Sequence, residues 1–394
     1  MLASLAVLSL AALCGLPFLQ IAPNRLVSGQ PLYFFSLLQG VAWLPSRLLA
    51  SLLVASVVAA SVVCFLKPSR WWLTAALVLT ALALPSLLWF AASQASAGLQ
   101  GQTGLTNLSG LSRSSLGGGF WLAFVLLAFA VSSALQQLRT SALQSACAGA
   151  VLLICLAVLL ASGACSDLSL VKEYANRADG FAQVIARHLQ IVALAMAFTL
   201  AIGLPLAWAA HVRPAVGTAV FAVLNIVQTI PSIALFGLLM LPLALLAAAA
   251  PALGRAGISG VGLAPAVIAL TLYALLPVVR SALTGLQQVS SSTASAALAL
   301  GLTRLQVLWA IELPLALPIA LGGVRTAAVA TVGLAAVSAL IGAGGLGSIV
   351  FEGLFANAQD LVLLGVLPIV ALGVLTDLLF KALTAWARLK AQPQ

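Results

Sequence analysis

Asn225, Gln228, Thr229 and Ser232 stand three, four and seven residues apart in an otherwise apolar run, so in a helix they share one face. Side chains of these types exchange hydrogen bonds with water or a polar solute; none is a strong acid or base. At membrane depth such groups line a wet path or act as hydrogen-bonding glue between neighbouring helices. Pro231, among them, frees a backbone carbonyl and favours a kink. Tyr273 and Phe236 are the two aromatic rings placed to face the same path. Covalent chemistry has no comparable constellation, with no His/Asp/Glu cluster and no Ser/His pair in the spacing. His188 and His211 fall on opposite sides of the expected membrane, so no metal site is expected, and no catalytic residue is assigned.

The elements that position these residues follow from composition. Hydrophobic residues make up 63% of the 394 and charged ones 6%, against about 25% charged in soluble domains. This is the composition of a polytopic membrane protein, and the fold class expected is an all-α integral membrane helical bundle. A span needs about 20 apolar residues, which gives about ten: 2–22, 46–66, 71–93, 120–138, 141–162, 189–210, 215–241, 261–279, 317–341 and 361–385. Segment 2–22 lacks the basic start and A-x-A site of a signal peptide and reads as a retained helix. Trp71, Trp72, Trp89 and Trp121 sit at span ends, as interfacial aromatics do.

The net charge of +10 is topological. With both termini inside, the inner side holds ten Lys and Arg residues (among them Arg213, Arg280, Arg304 and Arg325) against only Glu312 and Asp377. That bias is the positive-inside rule and excludes a nucleic-acid reading. Asp377 and Lys381, at i and i+4, can pair. Arg325 either snorkels to the interface or serves as an inner gate or partner contact. The five cysteines show no C-x-x-C spacing and read as small buried apolar residues.

Residues 292–314 interrupt this apolar pattern with a moderately polar helix–glycine–helix insert. Ser292 or Thr293 caps the first helix and Gly301 supplies the left-handed turn that ends it. Thr303 and Gln306 match a capping box, Leu302 and Val307 a hydrophobic staple, and Pro314 and Pro318 close the second helix. Gly342-Ala-Gly-Gly-Leu-Gly347 matches G-x-G-x-x-G, yet a nucleotide-binding loop requires a preceding strand. Here an apolar helix precedes it, so the glycines read as a flexible outer turn, part of an outer gate. No G-x-x-x-x-G-K-[ST] occurs, so energy for transport comes from a partner or an ion gradient.

The insert resembles the cytoplasmic coupling loop of ABC-importer permeases, with pattern E-A-A-x3-G-x9-I-x-L-P. Ala296, Ala297, Gly301, Ile311, Leu313 and Pro314 fall at its offsets, and Ser295 stands at the glutamate position. The resemblance implies an N-terminal extension of about five transmembrane helices over 1–165 and a five-helix type I permease core over 187–390. The coupling loop would occupy 281–316. It implies that Ser295 through Pro314 dock in a groove of an ATPase subunit, which binds the ATP and Mg²⁺. It implies further a second permease copy or paralogue, an external substrate-binding protein and a bacterial inner membrane. The chain itself would not be an enzyme. The runs NIVQTIPSIALFGLLM (225–240), LYALLPVVRS (272–281) and LIGAGGLGSIVFEGL (340–354) resemble permeases for osmoprotectants such as glycine betaine and related quaternary amines. Such cargo is usually caged by aromatic faces, which are scarce here, consistent with selection by a separate binding protein.

Other readings stay open. They are a different cargo (methionine, another amino acid or a sulfonate), a gradient-driven transporter using Asp377, or a membrane enzyme. The N-terminal extension either stabilises the assembly or regulates it.

Overall fold

A computed structural model describes residues 2–23, 29–40, 55, 58, 69–102, 112–138, 142–255 and 257–391. The expected span 46–66, Cys64, Lys67 and Arg139 lie outside the described residues. Two compact units divide the chain, residues 1–176 and 177–394. Seven helices among the described residues are long and apolar enough to cross a membrane.

The first unit opens with α1 (Leu2–Gly15). At about 1.5 Å per residue its 14 residues fall short of the ~30 Å hydrocarbon core. The expected span 2–22 is therefore corrected: Pro17, which lacks an N–H, starts strand β1 (Pro17–Ala22). Strands β2 (Gln30–Tyr33) and β3 (Arg113–Leu116) flank β1 on either side, both antiparallel to it. Among the described residues this small sheet is the departure from an all-helical fold. Around it stand α2 (Phe34–Gly40), α3 (Arg70–Gln102), α4 (Gly118–Gln137), α5 (Ala142–Ala161) and α6 (Ser169–Ala175).

Four buried phenylalanines lock the sheet to the helices. Phe18 of β1 meets Phe34 at 5.1 Å, Phe90 at 5.8 Å and Phe120 at 5.7 Å between ring centroids, mostly edge-to-face as ring quadrupoles prefer. The start of α4 lies so close to β1 that a Cβ at Gly117 would meet the Pro17 carbonyl oxygen at 2.2 Å. Cys165 is buried here, and burial pushes its thiol pKa up. Cys14 and Cys155 are exposed, against the buried reading.

The second unit contains α7 (Ala178–Val212), α8 (Pro214–Thr229), α9 (Ser232–Ala249), α10 (Pro251–Arg255) and α11 (Leu263–Gln287). A hairpin follows: α12 (Ser291–Ala299), α13 (Arg304–Val307) and a π-helical turn over Leu308–Glu312. Then come α14 (Leu313–Leu334), a 3₁₀ turn (Val337–Ile341), α15 (Leu346–Phe355) and α16 (Gln359–Ala391). The stretch between the two expected domains, 166–186, is largely helical, since α6 and the first turns of α7 occupy it. The expected continuous span 215–241 is two helices. Ile230, the residue before Pro231, is extended at φ −77°, ψ 125°, as proline demands of its predecessor.

Helix α11 is the axis of this unit, packed along α7 on one side and α14 on the other, while α14 also packs along α16. Internal prolines in α7, α9, α11, α14 and α16 are tolerated because neighbouring helices satisfy freed backbone groups. Small residues set the α11–α14 approach. A Cβ at Gly323 would meet Ser281 Oγ at 2.3 Å and the Pro277 carbonyl oxygen at 2.5 Å; one at Gly285 would meet the Ala316 carbonyl oxygen at 2.7 Å.

Asp377 of α16 binds Arg325 of α14 at 2.5 Å and Lys381 at 2.8 Å. The i, i+4 pair is as expected, and Arg325 is also tied to α16 through Asp377. The glycines at 342–345 form a turn held by hydrogen bonds from neighbouring elements. Gly342, Gly344 and Gly345 have φ near +80°, which suits residues without a Cβ. Arg187 Nε donates to the Ala343 carbonyl at 2.9 Å, Gly262 N–H donates to that of Ile341 at 2.7 Å, and Arg177 grips Glu352 of α15 with two hydrogen bonds.

The α11–α14 contact yields a controlled comparison. Gly323→Val should lower thermal stability in detergent by about 1–3 kcal/mol through overpacking. Gly322→Val, where a Cβ meets nothing within 4 Å, should leave the melting temperature nearly unchanged.

Candidate functional site

The hairpin is built by local backbone chemistry. Ser290, two residues ahead of the expected cap Ser292, caps α12 by accepting the Thr293 N–H at 3.2 Å. At the far end Gly301 takes φ +90°. Its N–H donates to the Leu298 carbonyl at 3.0 Å and that of Leu302 to the Ala297 carbonyl at 3.2 Å. These two bonds are the Schellman closure. Thr303 then caps α13 in a full capping box, with its own N–H on Gln306 Oε1 at 2.8 Å and the Gln306 N–H on its hydroxyl at 3.3 Å.

Proline does not close the second helix. The chain runs from Arg304 through the π-turn into α14, and Pro314 sits in the first turn of that helix. A π-turn widens the backbone ring by one residue and carries the rod past a residue with no N–H to give. The result is one helical rod from Arg304 to Leu334. The second helix of the hairpin is thus continuous with α14.

The residues at the coupling-loop offsets divide by exposure. Ser295, Ala296 and Gly301 face outward, and Ala297 is buried. Ile311 is half-buried. Leu313 and Pro314 line an apolar groove of about 750 Å³ with Trp208, Trp309 and Trp386. Leu300 at the tip is 82% exposed, Trp309 69% and Leu305 64%, an apolar edge on the hairpin.

A second, polar cavity of about 430 Å³ lies between α8, α11 and α14. Gln228 and Tyr273 line it, with Arg280 and Ser281 from α11 and Gly323 and Thr326 from α14. Gln228 spends its amide N–H on the Tyr273 carbonyl at 2.7 Å, which leaves its Oε1 as an acceptor. The Tyr273 hydroxyl donates to the Ile230 carbonyl, in the break between α8 and α9. Asn225, Thr229 and Ser232 are not among the lining residues. Thr229 donates to the Ile226 carbonyl at 2.7 Å, and Ser232 belongs to the next helix, so the four polar residues do not form one face. Phe236 is buried in the core rather than facing a path.

Sequence reasoning missed Arg280, Ser281 and Thr326. The signal was present, because Tyr273, Pro277, Arg280 and Ser281 recur at i, i+4, i+7 and i+8 on α11. Arg280 had been absorbed into the charge bias of the inner side.

Residues 199–389 match the family of the binding-protein-dependent transport system inner membrane component. Residues 1–171 match the N-terminal domain of ABC transporter permease YehY. The choline transport system permease protein OpuBD of Bacillus subtilis is 33% identical over 226 residues, covering 57% of this chain and 91% of that protein. The glycine betaine/carnitine/choline transport system permease protein OpuCD of the same organism is 32% identical, covering 52% and 83%. The osmoprotectant import permease protein OsmW of Salmonella typhimurium is 37% identical, covering 53% and 92%. All three matches span about the length of the second unit, where both the capped hairpin and the polar cavity lie. The chain belongs to the inner-membrane permeases of binding-protein-dependent ABC importers.

Proposed function

We propose that this chain forms the translocation path for a small osmoprotectant, a quaternary amine of the glycine betaine class, in an importer driven by a partner ATPase. The observation that carries the reading is the helical rod from Arg304 to Leu334, which starts at the hairpin and ends beside the polar cavity. Two ATPase subunits would seat the hairpins of two permease chains, either two copies or this chain with a paralogue. They would bind the ATP and Mg²⁺, and closure of their nucleotide sites would push α13 along its axis. Because α14 lies against α11 and α16, that displacement would shift the walls of the cavity. An external binding protein would deliver the cargo. The hairpin and the C-terminus lie in the cytoplasm in this reading; with α1 too short to span, the alternation that put the N-terminus there no longer holds.

Cargo identity rests on the relatives, whose names specify choline, glycine betaine, carnitine and osmoprotectants. The cavity supports a path more than a tight site. It offers one aromatic ring, Tyr273, where a high-affinity quaternary-ammonium cage uses several. Asp377, the acid a gradient-driven transporter would use, is held by two cations, which favours the ATP-driven reading.

Gly301→Arg is expected to abolish uptake while the co-purified ATPase still hydrolyses ATP. The substitution strains the left-handed turn by about 1 kcal/mol or more and fills the space beside the hairpin, where the free chain places nothing within 4 Å. Uptake at the wild-type rate would remove the docking role. Gln228→Leu is expected to abolish uptake with assembly intact, read by radiolabelled solute accumulation and by recovery of the ATPase. Unchanged uptake would take Gln228 out of the path.

A further inference from the structure

The cavity between α8, α11 and α14 has a charge character that its polar lining does not by itself require. Arg280 is its one charged lining residue, and none of the chain's seven acids lines it. Among the described residues Arg280 makes no ion pair. Its guanidinium instead lies over the Phe221 ring of α8, 5.7 Å from the centroid, a cation–π contact that fixes the head group without neutralising it. Arg280 is exposed, so its donors stay available.

Ser281, beside Arg280, adds a hydroxyl to that end of the lining, and the other polar side chains donate to backbone carbonyls. Thr326 donates to the Gly322 carbonyl at 3.1 Å and Thr331 to that of Ala327 at 2.7 Å. Gln228 and Tyr273 also donate to backbone carbonyls. What remains for a solute at one end is a ring face and the Gln228 amide, with its carbonyl oxygen and second N–H. Seven residues along α11, about 10 Å at 1.5 Å per residue, lies an unpaired guanidinium. A quaternary ammonium has no hydrogen to donate and suits the first end. A carboxylate needs charged donors in a fixed fork, which arginine supplies. The volume of about 430 Å³ falls within the range of about 300–1,000 Å³ for small-molecule sites.

We propose that Arg280 makes this cavity selective for zwitterions: it passes cargo that carries a carboxylate beside its quaternary ammonium, and disfavours purely cationic choline. The inference rests on the osmoprotectant reading above and narrows its substrate class. A lone cation entering the cavity meets an unpaired like charge with no acid to offset it. A betaine meets the same charge with its own anion.

The test uses the full importer, this chain with its own ATPase and binding protein, in cells without other uptake routes, fed radiolabelled glycine betaine or choline. Because the binding protein is the same in every arm, a change in the ratio of the two rates belongs to the permease. Arg280→Gln should lower glycine betaine uptake by about tenfold, the scale of a lost charge-assisted hydrogen bond, while choline uptake holds or rises. Arg280→Lys should keep the wild-type preference. Choline imported by the wild type as fast as glycine betaine, or both rates falling in proportion in Arg280→Gln, would overturn the zwitterion selectivity and leave the importer reading standing. Import of neither compound by the wild type would overturn the osmoprotectant reading and this inference with it. Failure of both variants to reach the membrane would assign Arg280 a structural role and also overturn the proposal.

Discussion

The approach of α11 to α14 is the constraint on which the rest of the second unit depends. Lipid offers no hydrophobic drive between helices, so association there comes from close packing of small residues. Gly285 and Gly323 supply it, each leaving no room for a Cβ against the backbone of the other helix. The same contact decides the site. Ser281 and Gly323 touch across the crossing and both line the cavity. The cavity is therefore a gap between helices that are otherwise as close as backbones allow, and its shape answers to small movements of either.

In the proposed mechanism movement enters through the hairpin. A coupling element must be stiff at its tip and continuous with the part it moves. The Schellman closure at Gly301 and the capping box at Thr303 satisfy the first need by pairing backbone groups that a loop would leave to water. The π-turn over Leu308–Glu312 satisfies the second. Other fixed points bound the motion. Asp377 clamps α14 to α16 through Arg325, and Arg187 and Arg177 fasten the glycine turn and α15 to α7. In the proposed mechanism these contacts would direct displacement of α14 toward its face on α11 and the cavity.

The sequence was readable where structure is local and misleading where it is not. Gly301, Thr303 and Gln306 declare a turn and a cap within six residues, and the structure has both. The α12 cap was misplaced because Ser290, Ser292 and Thr293 offer three hydroxyls within one turn, and Ser290 bonds to both of the others. Pro314 and Pro318 read as terminators, yet a π-turn absorbed the lost bond. Pro231 read as a kink and is a full break, because Ile230 takes the extended conformation that a following proline favours. The sheet in the first unit was invisible for a different reason. Strand β1 pairs with β3 across about ninety residues of sequence, and no short-range pattern in PFLQIA announces a partner so distant. In the cavity, Tyr273 and Gln228 were identified from their types, while Arg280 was hidden because its charge also served topology.

The central claim is that the hairpin tip seats on an ATPase. A photo-activatable amino acid at Leu300, the exposed apolar residue of the tip, tests it most directly in native membranes. Irradiation followed by mass spectrometry is predicted to yield one dominant adduct, to a P-loop ATPase subunit, and none from a control position at Val151 of α5. Crosslinks from Leu300 to lipid alone, with the ATPase present in the same membranes, would contradict the account.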